Sequence, residues 1–168
     1  LKPKTTLVMV EMNKPRESGK FIRGDYLNPG KKVEPGVPAM LHPFDSNLPN
    51  NRLGLAKWIV DSKNPLTARV VVNRWWAQFF GRGIVSTQED FGIQAEPPTH
   101  PLLLDWLANK LKTNGWSRKK IHRQIVLSST FRQSATMTKQ LRQIDPQNKW
   151  YARGPRMRMS AEMIRDNG

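Results

Sequence analysis

The segment from Leu66 to Phe80, LTARVVVNRWWAQFF, is apolar around almost its whole circumference. At 100° per residue, Ala68, Val71, Val72, Trp75 and Phe79 share one face. Leu66, Val70, Ala77 and Phe80 lie opposite, with Trp76 between. A helix clothed in this way has to be surrounded by its own chain. Pro65 suits the first turn, where a missing N–H costs nothing, and Gly81 and Gly83 stop the helix near Phe80. The alternative, an exposed aromatic platform for bases or sugars, needs open rings beside a cationic groove. The aliphatic neighbours of Trp75 and Phe79 favour a core role for those two first, and then for Trp76.

Two polar seams interrupt this helix: Arg69 with Asn73, and Arg74 with Gln78. A buried arginine needs a partner, because an unpaired buried charge costs several kcal/mol. Glu89, Asp90, Glu96 and Asp105 follow downstream. The stretch STQEDFG is therefore expected to fold back over the helix and give one arginine a carboxylate. This defines a candidate buried polar network of Arg69, Asn73, Arg74, Glu89 and Asp90.

Around this strut the pattern is mainly α with a small N-terminal β ribbon, an α+β arrangement. Residues 1–50 read as ribbon and linker, the end of a preceding region. Residues 51–168 read as a helical domain cut short at its C-terminus, as in a fragment of a longer protein. Within the ribbon, TLVMVEM (6–12) and KFIRGDY (20–26) are expected to be two strands joined by a hairpin-like loop. Pro29-Gly30, Pro35-Gly36 and Pro38 then impose extended chain and turns. Helices are expected from Asn50 or Asn51, from Thr99 or His100 with Pro101 in the first turn, and from Ser117 to about Ser128. Further short helices are expected at 138–144, at 146–152 behind Asp145, and after Ser160.

The chain carries 28 Lys and Arg against 13 Asp and Glu, a net charge of +15. Such a field attracts polyanions: nucleic acid, anionic lipid, acidic polysaccharide or acidic protein. The most unusual placement is SRKKIHR, which puts Arg118, Lys119 and Lys120 in the first turn of a helix, where acids are favoured. ARGPRMRMS adds Arg153, Arg156 and Arg158. These six form a candidate anion-binding patch, with a merely solvated basic face as the alternative.

Catalytic motifs are sparse. There is no cysteine, so thiolate chemistry, disulfides and haem attachment through Cys-x-x-Cys-His are absent from this stretch. His42, His100 and His122 form no i, i+4 pair, and no metal site is expected. His122 with Ser128 and Ser129 lacks a nucleophile elbow. GDYLNPGKK fails as a phosphate loop, since Lys32 stands where Ser or Thr is needed. GRGIVS follows a helix, so it is no dinucleotide loop, and Arg23-Gly24-Asp25 is best read as a turn. No apolar run reaches the length of a membrane span.

GDYLNPGKKVEPGVP, the run from NRLGLAKWIVD through LSSTFRQS, and SAEMIRDN together resemble the C-terminal domain of unknown function in large planctomycete cytochrome-associated proteins. The resemblance covers residues 19 to 167. It departs at Leu102, where that family usually carries an acid, and the run Arg118-Lys119-Lys120 is more basic than in similar proteins. What the resemblance implies is an accessory or interaction domain of an exported multidomain protein, in the periplasm, cell envelope or outside the cell. It implies c-type haem only upstream, with no cofactor in this segment, and a link to redox or polymer-degrading systems. Expected partners are other domains of the parent chain and an anionic polymer or acidic protein; nucleic acid is disfavoured. Two other classes stay open: a carbohydrate-active enzyme using Asp or Glu with His122, which requires residues 89, 90, 96, 105 and 122 to converge, and a basic nucleic-acid binder.

Overall fold

The computed structural model describes residues 5–14, 16–156 and 158–166. The chain divides into two units, Leu1–Lys63 and Asn64–Gly168. Among the described residues there are seven α-helices and one two-stranded antiparallel sheet, the mainly α architecture with a small ribbon expected from the pattern.

In the first unit, β1 (Ser18–Phe21) pairs with β2 (Pro29–Val33), in the register Ser18↔Val33, Gly19↔Lys32 and Phe21↔Pro29. A 3-10 turn at Ile22–Gly24 reverses the chain, with Arg23 at φ 52° and Gly24 at φ 79°. Asp25 closes the turn by accepting from the Leu27 N–H at 3.0 Å. The expected partner of this strand was residues 6–12, and that expectation is corrected. Residues 6–12 form no strand, and Leu7, Val8, Met9, Val10 and Met12 are all exposed. The tight turn at 22–28 brings 29–33 alongside first, because short loop closure costs least. Pro29 fits because it sits at a strand end.

Helix α1 (Arg52–Ile59) starts where Asn51 accepts from the Gly54 N–H at 3.1 Å. Trp58 is its buried anchor, stacked on His42 at 4.8 Å and donating from Nε1 to the His42 carbonyl at 3.0 Å. Gly54 is required by close approach, since a Cβ there would lie 1.9 Å from the Pro49 carbonyl oxygen.

The second unit holds the core. Helix α2 (Thr67–Phe80) packs against α3 (Pro101–Thr113), and α3 leads through Gly115 and Trp116, both at positive φ, into α4 (Arg118–Leu127). Asn64 caps α2 by accepting from the N–H groups of Leu66 and Thr67. Gly81 ends it in the left-handed region at φ 76°. Short helices α5 (Ser129–Arg132), α6 (Lys139–Ile144) and α7 (Ala161–Asp166) follow, their starts capped by Ser128, Thr138 and Ser160. Ser117 stands at the start of α4 without a side-chain capping bond, as does His100 at the start of α3.

Ala68, Val72, Trp76 and Phe80 form a ridge at i, i+4 spacing and are all buried. Ile84, Val85, Leu104, Leu107, Ala108, Leu111, Ile121, Ile125 and Tyr151 complete the cluster. The expected order of the tryptophans is thereby reversed. Trp76 is 4% exposed and stacks on Phe80 at 4.2 Å, whereas Trp75 and Phe79 are only partly buried on the rim of the core. The physical reason is that α3 and the 84–85 turn both pack onto the 68-72-76-80 ridge. The face with the most aliphatic residues is covered less completely.

The helix expected at 146–152 does not form. The Asp145 carboxylate accepts from the N–H groups of Lys149 and Trp150, at 2.6 and 2.8 Å, and Asn148 and Tyr151 both take φ 54°. Asp145 thus caps a tight turn instead of a helix.

Candidate functional site

The polar seams of α2 separate into unrelated roles, and the five residues grouped from sequence are not one buried network. Asn73 alone is fully buried. Its Nδ2 donates to the Val85 carbonyl at 3.0 Å and its Oδ1 accepts from the Val85 N–H at 2.9 Å. It therefore satisfies the backbone of the connection after α2, which has no strand or helix to do so. Arg74 does receive a carboxylate from the returning segment, Glu89 at 2.9 Å, but both side chains are exposed. Such a pair contributes little. Arg69 pairs with Asp105 on α3, its Nε lying 2.6 Å from Oδ1. Asp90 folds onto its own loop, accepting from the Gly92 N–H.

The five groups required by the carbohydrate-enzyme alternative do not converge. Glu89 is with Arg74, Asp90 with its own loop, and Asp105 with Arg69. Glu96 meets Arg82 and Lys149, while His122 packs edge-on against Trp75 and Phe79. Glu96 and Asp105 do line one concavity of about 540 Å³ with Phe91, Ile93, Pro97 and Leu104. The hydrogen bond from Arg69 holds the Asp105 carboxyl below its ordinary range, the reverse of what a general acid at neutral pH needs. Among the described residues no group of three or more His, Asp or Glu is placed to hold a metal ion.

His122 sits with its ring 5.1 Å from both Trp75 and Phe79, and its Nε2 is buried without a hydrogen-bond partner. Burial, and then the Arg118 charge one turn away, push its pKa below 6.5. The unfolded chain therefore binds this proton first as pH falls. Stability is fully present above the unfolded value and declines as pH drops through that value toward the lower folded one. Replacing His122 with Phe keeps a ring in the niche and removes the titration. Urea midpoints at about pH 7.5 and 5.5 should then differ less in His122→Phe than in the parent chain; an unchanged difference would exclude His122 as the source.

The six cations grouped from sequence stand in different local settings. Arg118, Lys119 and Lys120 stand exposed on the first turn of α4, a helix with no acid in it. Arg153 is partly buried and structural, donating from Nη2 to the Pro146 carbonyl at 2.8 Å. Arg156 lines a shallow concavity with Arg142, Ala135, Thr136 and Met137. Arg158 is exposed in the segment before α7.

A constrained feature that the sequence did not single out is the turn from Asp145 to Gly154. Asp145 and Asn148 are both buried polar side chains. Asn148 donates from Nδ2 to the Arg153 carbonyl at 2.9 Å and accepts from the Arg153 N–H at 3.2 Å. Gln133 donates to the Tyr151 carbonyl at 2.6 Å, and the Gly154 N–H reaches the Ser134 carbonyl at 2.9 Å. Tyr151 drives its ring into the core beside Trp76, Phe80 and His100, and its hydroxyl donates to the Arg82 carbonyl at 3.2 Å. Burial raises its pKa, opposed by Trp76, Thr99 and Arg82 nearby. A bulky residue at positive φ costs about 1–3 kcal/mol, and such strain persists only where the surroundings over-determine it. A sequence signal was present in DPQNKWY, but Asp-Pro at that spacing also starts helices.

A small helical domain built on one apolar strut, with a basic α4 and a pinned aromatic turn, defines the class to which this chain belongs. Residues 51–168 match the PSD1 family, described as proteins of unknown function (DUF1553), and the chain is a member of that family. The chain has no match among curated proteins or among solved structures.

Proposed function

We propose that this domain is a non-catalytic interaction module that binds an anionic polymer or an acidic protein surface through the exposed first turn of α4. The single observation that carries this is the trio Arg118, Lys119 and Lys120, solvent-exposed at a helix start without an acid on the helix. A helix start supplies N–H donors and a partial positive charge, and three cations surround it. Several of the chain's acids are already engaged, Glu89, Glu96 and Asp105 by arginines and Asp145 by backbone. With 28 Lys and Arg against 13 Asp and Glu, most of the cations have no carboxylate of this chain to pair with. The resemblance to the C-terminal domains of planctomycete cytochrome-associated proteins extends this reading. In it, the module serves a larger exported protein of the envelope or periplasm, with any c-type haem on another part of that protein and other domains of the parent as further partners. Among the described residues no helix is long and apolar enough to cross a membrane.

Heparin chromatography tests the α4 site. Arg118→Gln/Lys119→Gln/Lys120→Gln should elute at clearly lower salt than the parent chain, with Tm unchanged or raised slightly, because cations at a helix N-terminus oppose its dipole. Equal elution would remove the proposal. Duplex DNA is the control for the nucleic-acid alternative, whose affinity should fall steeply with salt. No DNA binding at about 50 mM salt eliminates that alternative.

A further inference from the structure

We infer that the turn carrying Trp150 is a second binding site, one that takes a pyranose ring of a polysaccharide, and that it is independent of the cationic start of α4. Trp150 is 55% exposed although it belongs to a turn held by the buried Asp145 and Asn148 side chains. Its own N–H is fixed by the buried Asp145 carboxylate at 2.8 Å, and the residues two before it and one after it are non-glycine positions at φ 54°. Asparagine takes this region readily, but a turn needed only to connect α6 with α7 could use glycine at 151 and avoid the cost of a tyrosine there. What this turn achieves instead is to plant Tyr151 in the core and hold Trp150 outward at a set angle. An indole on a rigid support stacks with little further loss of conformational freedom.

The surroundings identify what would stack. Lys149, next to Trp150, reaches Glu96 Oε2 at 3.4 Å. The same oxygen takes Arg82 Nη2 at 3.2 Å and the Ser86 hydroxyl at 3.4 Å, and Arg82 Nη1 reaches Gln147 at 3.4 Å. His100 lies edge-on to Trp150 at 5.9 Å. The result is an exposed indole against His100 whose chain neighbours Lys149 and Gln147 join a cluster with Arg82, Ser86 and Glu96, a set of both donors and acceptors. A sugar offers a C–H face to the indole and hydroxyls that both donate and accept. A nucleic acid needs stacking beside uncompensated cations along a backbone track. Here both cations are already turned onto Glu96, which leaves no uncompensated cationic track beside the indole. The same chemistry serves a neutral or an acidic pyranose, and the ligand panel separates them.

The test is calorimetric titration of the folded chain with neutral oligosaccharides (cello-, xylo-, manno- and laminari-hexaose) and acidic ones (oligogalacturonate and oligoalginate). A dT oligonucleotide serves as the competing ligand. The expected result is binding of at least one oligosaccharide that falls by about tenfold or more in Trp150→Ala. Trp150→Phe should retain part of it, and Glu96→Gln should weaken it without a comparable fall in Tm. The triple α4 variant should bind that oligosaccharide like the parent chain, so loss of heparin retention and loss of sugar binding report on different sites. Failure of every saccharide to bind, equal binding by Trp150→Ala, or binding of the oligonucleotide alone would each overturn the inference.

Discussion

Replacing Asn73 with Asp should destabilise the domain by about 3–5 kcal/mol at neutral pH, a large share of the roughly 5–15 kcal/mol that holds a typical domain folded. The substitution is nearly isosteric, so volume is not the cause. Asn73 is fully buried and serves both polar groups of the Val85 backbone. Aspartate keeps the oxygen that accepts from the Val85 N–H. It replaces the donor with a second oxygen facing the Val85 carbonyl, and it buries a charge without a cation. There is no room to relax, because even a Cβ on Gly83 would come within 2.7 Å of the Asn73 amide and 2.4 Å of the Val85 carbonyl oxygen. The sign of the pH response is diagnostic. A buried carboxyl of this kind has a folded pKa above its unfolded one, so acidification should restore stability as the protonated acid donates to the Val85 carbonyl. That is opposite to the His122 effect in the parent chain. Urea melts at about pH 7 and 4.5 check both statements; a loss below about 0.5 kcal/mol would mean that Asn73 is not the connector described here.

Truncating Trp76 to Ala should cost about 3–5 kcal/mol, and truncating Trp75 clearly less. Trp76 stacks on Phe80 at 4.2 Å and meets the Tyr151 ring edge-on at 5.3 Å, so its removal opens a cavity between α2 and the pinned turn. The surrounding Phe80 and Tyr151 rings are held by Phe131 and by the Arg82 carbonyl and cannot collapse fully into it. Trp75 lies on the rim against His122 and loses less on truncation. Paired thermal or urea melts of Trp75→Ala and Trp76→Ala decide the matter. A larger loss for Trp75→Ala would contradict the packing order described above.

These two residues also show where sequence reasoning stops. The wheel for residues 66–80 establishes that α2 is wrapped by its chain, because apolar side chains around a helix leave no other stable arrangement in water. It ranks Trp75 above Trp76 because it counts aliphatic neighbours on the same helix. It has no knowledge of where α3 and the 84–85 turn arrive. Likewise it predicts that a downstream acid reaches an arginine of α2, which Glu89 does for Arg74, while Arg69 is met by Asp105 from α3. Charge lists cannot distinguish these partners, since the choice depends on which helix lies across which face. The binding candidates divide in the same way. The cations of α4 are visible from the string SRKKIHR, whereas Trp150 is an ordinary aromatic in the sequence and becomes a candidate only when the turn beneath it is seen.

By itself, the sequence determined the local structure: α2 and α3, the Gly81 and Gly115 stops, the Pro101 first turn, the Asn51 and Ser160 starts, the mainly helical class, and the excess of positive charge. These follow from interactions within a few residues, which a linear string contains. Only the tertiary structure decided that β1 pairs with 29–33, that Trp76 lies deepest, that Asn73 ties down Val85, and that Asp145 closes a turn instead of starting a helix. Each of those is a competition between partners distant in sequence or between two locally permitted conformations. Such competitions are settled by burial and by backbone hydrogen bonds that exist only after the chain has closed on itself.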